Sequence, residues 1–260
     1  MLRSILAGTL IVALWAIPAF ANPDDLPAGE TQASAPTDGS VDFLFGRPHA
    51  WIAFTGTWLM PRANGDLYSF LSDQLTMQRS DFRTPAFIAA FGIPVSRQLD
   101  VVGDFELSSH ELQSEYRRYV KADRSEIRQT TQLSQGGIGV GVRYMPLGRG
   151  QTISRFAFVP RRVVPYVGAG LNFGHYNLAQ HGEFVDFVDL SIFNSSFQSD
   201  GWTVGSQVEA GADLQIWRML YFNAGVRYVW AHAKLSDDFV GFDGIDLSGL
   251  KTSSGLVIVF

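Results

Sequence analysis

The stretch LYFNAGVRYVW, residues 220–230, decides the fold class. Its apolar or aromatic side chains fall at every second position, whereas Asn223, Gly225 and Arg227 alternate with them. Successive side chains of a β-strand point to opposite faces, so a period of two is typical of a strand. The stretch therefore predicts a strand with one apolar and one polar face.

Similar alternation recurs along the chain. It is clear over 204–214 and weaker over 250–260, and it is found with variable clarity over 52–60, 87–93, 101–110, 138–144 and 167–174. Beyond the first 21 residues, no run of 18 apolar residues offers a transmembrane helix. We therefore predict an all-β fold, an eight-stranded antiparallel transmembrane up-and-down β-barrel, because a barrel wall alternates between lipid and lumen.

The amino-acid composition excludes several classes of function. The chain has 260 residues with 17% charged, below the roughly 25% typical of soluble domains. With 20 basic and 25 acidic residues, no nucleic-acid partner is expected. The absence of cysteine excludes cysteine-ligated metals and thiol nucleophiles. The acids of the last predicted loop lack calcium-loop spacing, so no metal or cofactor is assigned.

The chain divides into three parts. Residues 1–21 combine Arg3, an apolar run and an Ala-Phe-Ala ending, which predicts a cleaved signal peptide. Residues 22–47 are rich in Pro, Gly and Ser and predict a flexible periplasmic tether. Residues 48–260 are the predicted barrel domain. The expected location is the outer membrane of a Gram-negative cell envelope.

Connections of two lengths set the topology, since such barrels have short periplasmic turns and longer outer loops. Outer loops are expected near 61–83, 113–131, 178–201 and 234–248, and turns near 94–99, 145–162 and 215–219. The 145–162 turn is too long for a simple turn, and we interpret it as a periplasmic excursion. The topology predicts an aromatic girdle of Trp58, Trp202 and Trp230 at the outer interface, and Trp51 and Trp217 at the periplasmic one.

Two motifs carry a family resemblance. The ending GLVIVF, residues 255–260, resembles the C-terminal signal read by the barrel-assembly machinery of outer-membrane proteins. The run VPYVGAGLN, residues 164–172, is similar to a strand opening of small barrels of the OmpA and OmpW type. From about residue 163 onward, the chain resembles OmpW-like proteins. The resemblance implies Phe260 as assembly signal, the assembly machinery as partner, and passage of small hydrophobic molecules as one function.

Charged residues of both signs fall on the predicted lumen face. They are Asp104, Glu106, Arg143, Glu209, Asp213, Arg227 and Lys251. The lumen of an eight-stranded barrel is just wide enough for side chains to fill it. We favour an ion-pair network that plugs the lumen, and a narrow ion-conducting channel is the alternative.

Basic residues gather in the second outer loop, interleaved with acids. They are Arg117, Arg118, Lys121, Arg124 and Arg128. Such a cluster could bind lipopolysaccharide phosphates, because guanidinium groups match phosphate geometry, or it could pair with its own acids. Outer-membrane lipids and lipopolysaccharide are the expected partners of a monomer.

An outer-leaflet lipid-modifying enzyme, of the lipid A deacylase or acyltransferase type, is a further alternative. His110 has Ser108, Ser109 and Glu111 beside it, and His175 is expected to face lipid. Adjacent strand residues point to opposite faces, so sequence proximity does not make a triad. The favoured function is a non-enzymatic structural or surface-interaction role.

Overall fold

The structure, a computed structural model, describes residues 44–154 and 157–260. The expected signal peptide and residues 22–43 of the expected tether lie outside the described residues. The elements, in chain order, are β1 (Trp51–Pro61), α1 (Asp66–Gln74), a 3₁₀ turn (Arg79–Phe82), β2 (Thr84–Pro94), β3 (Leu99–Val120), β4 (Glu126–Tyr144), β5 (Gly150–Ser154), β6 (Ala157–Pro160), β7 (Val163–Val185), β8 (Ile192–Trp217), β9 (Leu220–Ala233), a 3₁₀ turn (Asp237–Phe239), β10 (Ile245–Asp246) and β11 (Gly249–Val259).

Eight of these strands close into a ring in the order β1, β2, β3, β4, β7, β8, β9 and β11. All neighbours pair antiparallel, and β1 completes the ring because Trp51 lies opposite both Val259 of β11 and Gly92 of β2. A closed ring leaves no strand edge unpaired, which is what a membrane-spanning sheet requires. The eight-stranded antiparallel barrel predicted from the sequence is confirmed.

The two ends of the ring differ. The β2–β3 and β8–β9 connections are short, whereas 62–83 and 234–248 are long segments at the opposite end. By the rule that outer loops are the longer ones, the short-turn end is periplasmic. At that end β5 and β6 form a separate hairpin within the 145–162 connection, and Leu44 pairs with Phe158 of β6.

Two of the expected loops are wrong. Residues 113–120 and 126–131 continue β3 and β4, and residues 178–185 and 192–201 continue β7 and β8. A barrel strand needs only about 9–11 residues to cross the hydrocarbon, so these four strands extend well beyond it. Their outward side chains become polar there, and that change marks the membrane boundary rather than the end of a strand. We refer to the two projecting pairs as the extended hairpins.

The outer end is covered by residues 62–83 and 234–248, which together form the outer cap. Within it α1 buries Leu67, Tyr68 and Leu71. The Tyr68 hydroxyl donates a hydrogen bond to the Asp246 carbonyl over 3.1 Å, which ties the two segments together. No helix in the described part of the chain is long and apolar enough to span a membrane.

The outward face of the ring is an apolar band with aromatic residues near its ends. Trp58, Trp202, Trp217 and Trp230 are 47–70% exposed, as expected of interfacial side chains. The prediction for Trp51 is wrong, because its side chain is 1% exposed and lies inside the lumen. It shares the face of Ala53 on β1, and Gly92 on β2 leaves the space that its ring occupies.

Position 226 separates the lipid face of β9 from the lumen. Val226 is outward and 46% exposed. Val226→Leu should leave the free energy of unfolding nearly unchanged, whereas Val226→Arg should lower it by about 2–4 kcal/mol, because it places a charge in hydrocarbon. Reversible unfolding in lipid vesicles measures both. Equal stability of the two variants would contradict the outward orientation of this residue.

Candidate functional site

The periplasmic half of the lumen contains a buried cluster around Arg149. Its Nη2 donates to Asp100 Oδ2 over 2.8 Å, and its Nη1 lies 3.4 Å from Asp213 Oδ2. Trp51 Nε1 donates to the same Asp100 oxygen over 2.7 Å, and Asn223 Nδ2 donates to Asp213 Oδ1 over 2.7 Å. All of these donors and acceptors belong to buried residues, so the cluster is a buried set of paired charges.

A second cluster lies deeper in the lumen. Arg143 Nε donates to Glu209 Oε1 over 3.0 Å, and Arg227 Nη2 donates to Glu209 Oε2 over 3.1 Å. Arg227 Nη1 also donates to Asp104 Oδ1 over 3.0 Å, and Gln207 Nε2 lies 3.3 Å from Asp104 Oδ2. An unpaired charge in this environment would cost several kcal/mol, and each acid here accepts at least two hydrogen bonds. The contacts run across the barrel, since β3 and β9 are opposite each other in the ring.

Aromatic rings join the two clusters. The Arg143 guanidinium carbon lies 3.9 Å from the ring centroid of Tyr166 and 4.7 Å from that of Trp51. Asn223 donates to the Tyr166 hydroxyl as well as to Asp213. Cation–π contacts of a desolvated arginine are worth about 2 kcal/mol. These cation–π contacts partly replace the hydration that the Arg143 guanidinium loses on burial.

The structure places all seven charged residues of the predicted network in the lumen. Arg143, Glu209, Arg227 and Asp104 are joined directly, Lys251 pairs with Glu106, and Asp213 pairs with Arg149 instead of Arg227. Sequence reasoning missed Asp100, Trp51, Tyr166, Asn223 and Arg149. Alternation places the first four on lumen faces, whereas nothing in the sequence brings Arg149 back into the lumen from the turn after β4.

Lumen-facing glycines provide room for this network. A Cβ on Gly139 would lie 2.6 Å from Asp104 Oδ2, and one on Gly168 would lie 2.8 Å from Glu209 Oε1. Real Cβ atoms do not approach so closely, so a side chain at either position would displace a paired carboxylate. The glycines of β4 and β7 are therefore part of the site.

The outer half of the lumen contains a buried apolar cluster. Leu67, Leu71 and Leu75 pack with Tyr176 of β7 and Val229 of β9 in one buried cluster. The Tyr176 hydroxyl donates to the Lys234 carbonyl over 2.5 Å, which fixes the second segment of the outer cap to the wall. The lumen thus has two layers, the charged network and the outer cap.

The residues of the enzyme alternative are not brought together in the described part of the chain. His110 faces the lumen, and its Nε2 is buried without a hydrogen-bond partner in the described ranges, whereas Ser109 faces outward and its hydroxyl lies 2.9 Å from that of Ser134. His175 Nε2 lies 3.3 Å from Asp200 Oδ2 on the outer wall. Among the described residues, no serine hydroxyl lies within hydrogen-bond distance of the His175 ring.

Of the five basic residues predicted to contact lipopolysaccharide, three have protein partners in the structure and two make no ion pair in its described ranges. Arg117 donates to the carbonyls of Ser72 and Met77 in the outer cap, so its role there is structural. Lys121 pairs with Glu183 over 2.5 Å, and Arg128 pairs with Glu115 and Glu126. The hydrogen bond from Lys121 holds the pKa of Glu183 below its usual range. Within the described ranges, Arg118 and Arg124 make no ion pair.

The closed ring, its apolar outer band and its charged, filled lumen define the class: a small eight-stranded barrel of the outer-membrane type. No protein-family model and no curated protein matches the chain.

Solved structures similar to it are outer-membrane barrels, as the OmpA/OmpW-like resemblance of the sequence implied. Neisserial surface protein A is 13% identical, with 81% of this chain and 97% of that chain covered and a TM-score of 0.44. OprG from Pseudomonas aeruginosa is 13% identical over 85% and 99%, with a TM-score of 0.49. Outer membrane protein W of E. coli is 16% identical over 83% and 99%, with a TM-score of 0.37. At these values the likeness reaches no further than the architecture.

Arg227 pairs with two carboxylates, those of Glu209 and Asp104. When Arg227 is removed, the two acids differ in the hydrogen-bond partners that they keep. Glu209 keeps Arg143, whereas Asp104 keeps only Gln207 as a partner in the part of the chain that the structure describes. Arg227→Met should lower the free energy of unfolding by about 3–5 kcal/mol, because it leaves Asp104 uncompensated. A second change, Asp104→Asn, should restore more of that loss than Glu209→Gln does.

Equilibrium unfolding in vesicles measures the three variants. The control is Asp104→Asn alone, which should itself destabilise the barrel because Arg227 loses a partner. Equal rescue by the two second changes would contradict the pairing described here.

Proposed function

We propose that this protein is a non-conducting, non-enzymatic structural barrel that carries a rigid surface for interactions outside the cell. The observation that supports this most strongly is the double closure of its lumen. One layer is the set of ion pairs that crosses the lumen, formed by Arg143, Glu209, Arg227 and Asp104. The other layer is α1, which packs across the lumen at a different level. Each layer alone would obstruct a path along the barrel axis.

The ion-channel alternative requires hydrated charges along a continuous path. Instead, the side chains of Arg143 and Arg227 are 5% and 8% exposed, and their partners Glu209 and Asp104 are 12% and 6% exposed. Passing ions would have to break these contacts and leave charges unpaired at a cost of several kcal/mol. The geometry therefore favours a plug over a channel.

Passage of small hydrophobic molecules, which the OmpW-like resemblance implied, meets the same two layers. An apolar solute that entered through the outer cap would then reach the paired charges of the network. The structural role needs no such rearrangement, and we favour it for that reason.

The outer membrane is the proposed location, reached after export directed by residues 1–21. The exposed apolar band and the Trp58, Trp202, Trp217 and Trp230 girdle support it. For assembly we propose Phe260 as the recognised residue. Its ring is 53% exposed, while its backbone bonds Ala50 beside the start of β1.

Closure in two layers predicts how conductance responds to mutation. In planar bilayers, the wild type, Arg227→Met and Leu71→Asp should each show no steady ion conductance, because one layer remains closed in every case. The double variant Arg227→Met with Leu71→Asp should conduct, and Leu71→Met should serve as the control that keeps the outer cap. A retained heat-dependent shift on gels would show that the variants still form barrels. Steady conductance of the wild type would contradict the proposal.

Contact with lipopolysaccharide is proposed through Arg118 and Arg124, the basic residues of the extended β3–β4 hairpin without an ion pair in the described ranges. The hairpin continues for roughly ten residues past the hydrocarbon, so at a rise of about 3.3 Å per residue and a tilt near 40° its tip stands roughly 25 Å above it. That height suits phosphates of the core oligosaccharide better than those of lipid A.

The height of the hairpin makes the contact testable. Arg118→Gln with Arg124→Gln should weaken binding of lipopolysaccharide with a phosphorylated core by about tenfold or more, since charge-assisted hydrogen bonds are lost. Binding of lipid A alone should not change. The control pair is Lys121→Gln with Arg128→Gln, which removes the same charge from residues that already have acid partners. If both pairs weaken binding equally, general charge rather than these two arginines carries the contact.

A further inference from the structure

The connections at the periplasmic end of the barrel carry positive charge alone. Residues 94–99, 145–162 and 215–219 contain six arginines and neither Asp nor Glu. The acids of the neighbouring lumen cluster are buried and already pair with Arg149. The two segments of the outer cap, by contrast, contain more acidic than basic residues. The periplasmic connections are therefore a basic surface without an acid of their own to neutralise it.

Two of these arginines lie beside each other at the edge of the wall. β8 ends at Trp217 and β9 begins at Leu220, so Arg218 lies in a two-residue turn and stays close to the wall. Arg162 immediately precedes β7, and its carbonyl accepts a hydrogen bond from the Gln215 amide over 2.7 Å. This bond places Arg162 next to the β8–β9 turn.

Strand β9 gives the height of that turn relative to the membrane. The ten steps from Leu220 to Trp230 cover about 25 Å along the barrel axis, at a rise of about 3.3 Å per residue and a tilt near 40°. That length equals the height of the apolar band of such barrels, roughly 25 Å. With Trp230 at the outer interface, the β8–β9 turn lies at the periplasmic interface, at the level of the lipid phosphates.

Exposed apolar side chains surround the two arginines. Ile216, Trp217 and Met219 are 60%, 70% and 44% exposed, and Val163 at the start of β7 is 49% exposed. Tryptophan rings prefer the depth of the head groups, where one side of the ring contacts acyl chains. Guanidinium groups match the geometry of phosphate oxygens. The surface thus combines contacts for the apolar and the charged part of one phospholipid.

Charge distinguishes between the phospholipid classes. Phosphatidylethanolamine carries an ammonium group beside its phosphate, and that ammonium would meet arginines and no acid of these connections. Phosphatidylglycerol carries the phosphate without a cation. An arginine near an anionic lipid surface contributes about 1 kcal/mol, which is a factor of about five in binding. The surface therefore favours an anionic over a zwitterionic head group.

We propose that Arg162, Trp217 and Arg218 form a binding site for an anionic phospholipid of the periplasmic leaflet. The two guanidinium groups donate to the phosphate oxygens, and the indole ring lies against the glycerol and the upper acyl chain. The proposal rests on the proposed location in the outer membrane. It is independent of lumen closure and of the lipopolysaccharide contact, which lies at the opposite end of the barrel.

Tryptophan quenching by brominated lipid tests the site, because bromine quenches only the indole rings that it touches. The protein is inserted in phosphatidylcholine vesicles that contain an equal fraction of either brominated phosphatidylglycerol or brominated phosphatidylcholine. Quenching should be stronger with phosphatidylglycerol, with a relative binding constant of about five or more. Trp217→Phe should remove this difference. Trp202→Phe, at the opposite interface, is the matched control and should keep it.

The double variant Arg162→Gln with Arg218→Gln should bring the relative binding constant to within about twofold of one, since both charges are lost. The control pair is Lys121→Gln with Arg128→Gln, which removes the same charge from the hairpin above the hydrocarbon and should keep the preference. Arg162→Lys with Arg218→Lys should keep part of it, because the charge remains but the planar fork is lost. A heat-dependent gel shift checks that each variant is folded.

Four outcomes would overturn the proposal: equal quenching of the wild type by both lipids, a preference that survives the loss of both arginines, an equal effect of the control pair, or a preference that Trp217→Phe leaves unchanged. Loss of the preference in millimolar inorganic phosphate at constant ionic strength would also overturn it, because the site would then take a free anion. A wrong membrane location would show differently, as no quenching by brominated phosphatidylcholine. None of these measurements bears on ion conductance, which remains the test of the structural role.

Discussion

A strand inside a bilayer has no water to bond its backbone, so every N–H and C=O must find a partner on a neighbouring strand. The pairing of β1 with β11 meets this demand by closing the ring at eight strands. Ring size then limits the lumen to the width of packed side chains. The space must be filled, and everything that lies inside the barrel follows from that limit.

The charged network is one answer to this limit, and it does more than fill space. Arg227 on β9 reaches Asp104 on β3, the strand opposite it in the ring, and also Glu209 on the adjacent β8. Contacts across the ring hold distant strands at a fixed separation, whereas contacts between neighbours do not. Burial makes each charge depend on its partners, so the network gives geometric definition to the barrel as well as closure.

Outside the membrane the same ring continues as the extended hairpins, and water on their outer faces permits polar residues there. The inner faces stay covered because the outer cap brings Leu67 and Leu71 into the ring, and because Arg117 donates to the carbonyls of Ser72 and Met77. This packing produces the second closure of the lumen. A surface supported in this way presents side chains such as Arg118 from a fixed framework.

The sequence by itself determined the barrel class, the eight strands and the face on which each strand residue lies, because alternation is a local property of the chain. It therefore placed Asp104, Glu209 and Arg227 in the lumen. The same alternation along β1 also puts Trp51 on the lumen face, rather than at the periplasmic interface. Which charges pair was decided only by the tertiary structure: Arg149 enters the lumen from a turn, and Asp213 pairs with it rather than with Arg227. The sequence also did not predict the extended hairpins or the outer cap. Polar alternation outside the membrane and the α1 segment are both compatible with loops, and only their contacts in the folded structure show that they are not. Pairing and capping depend on distances between residues far apart in the chain, and a single sequence does not contain those distances.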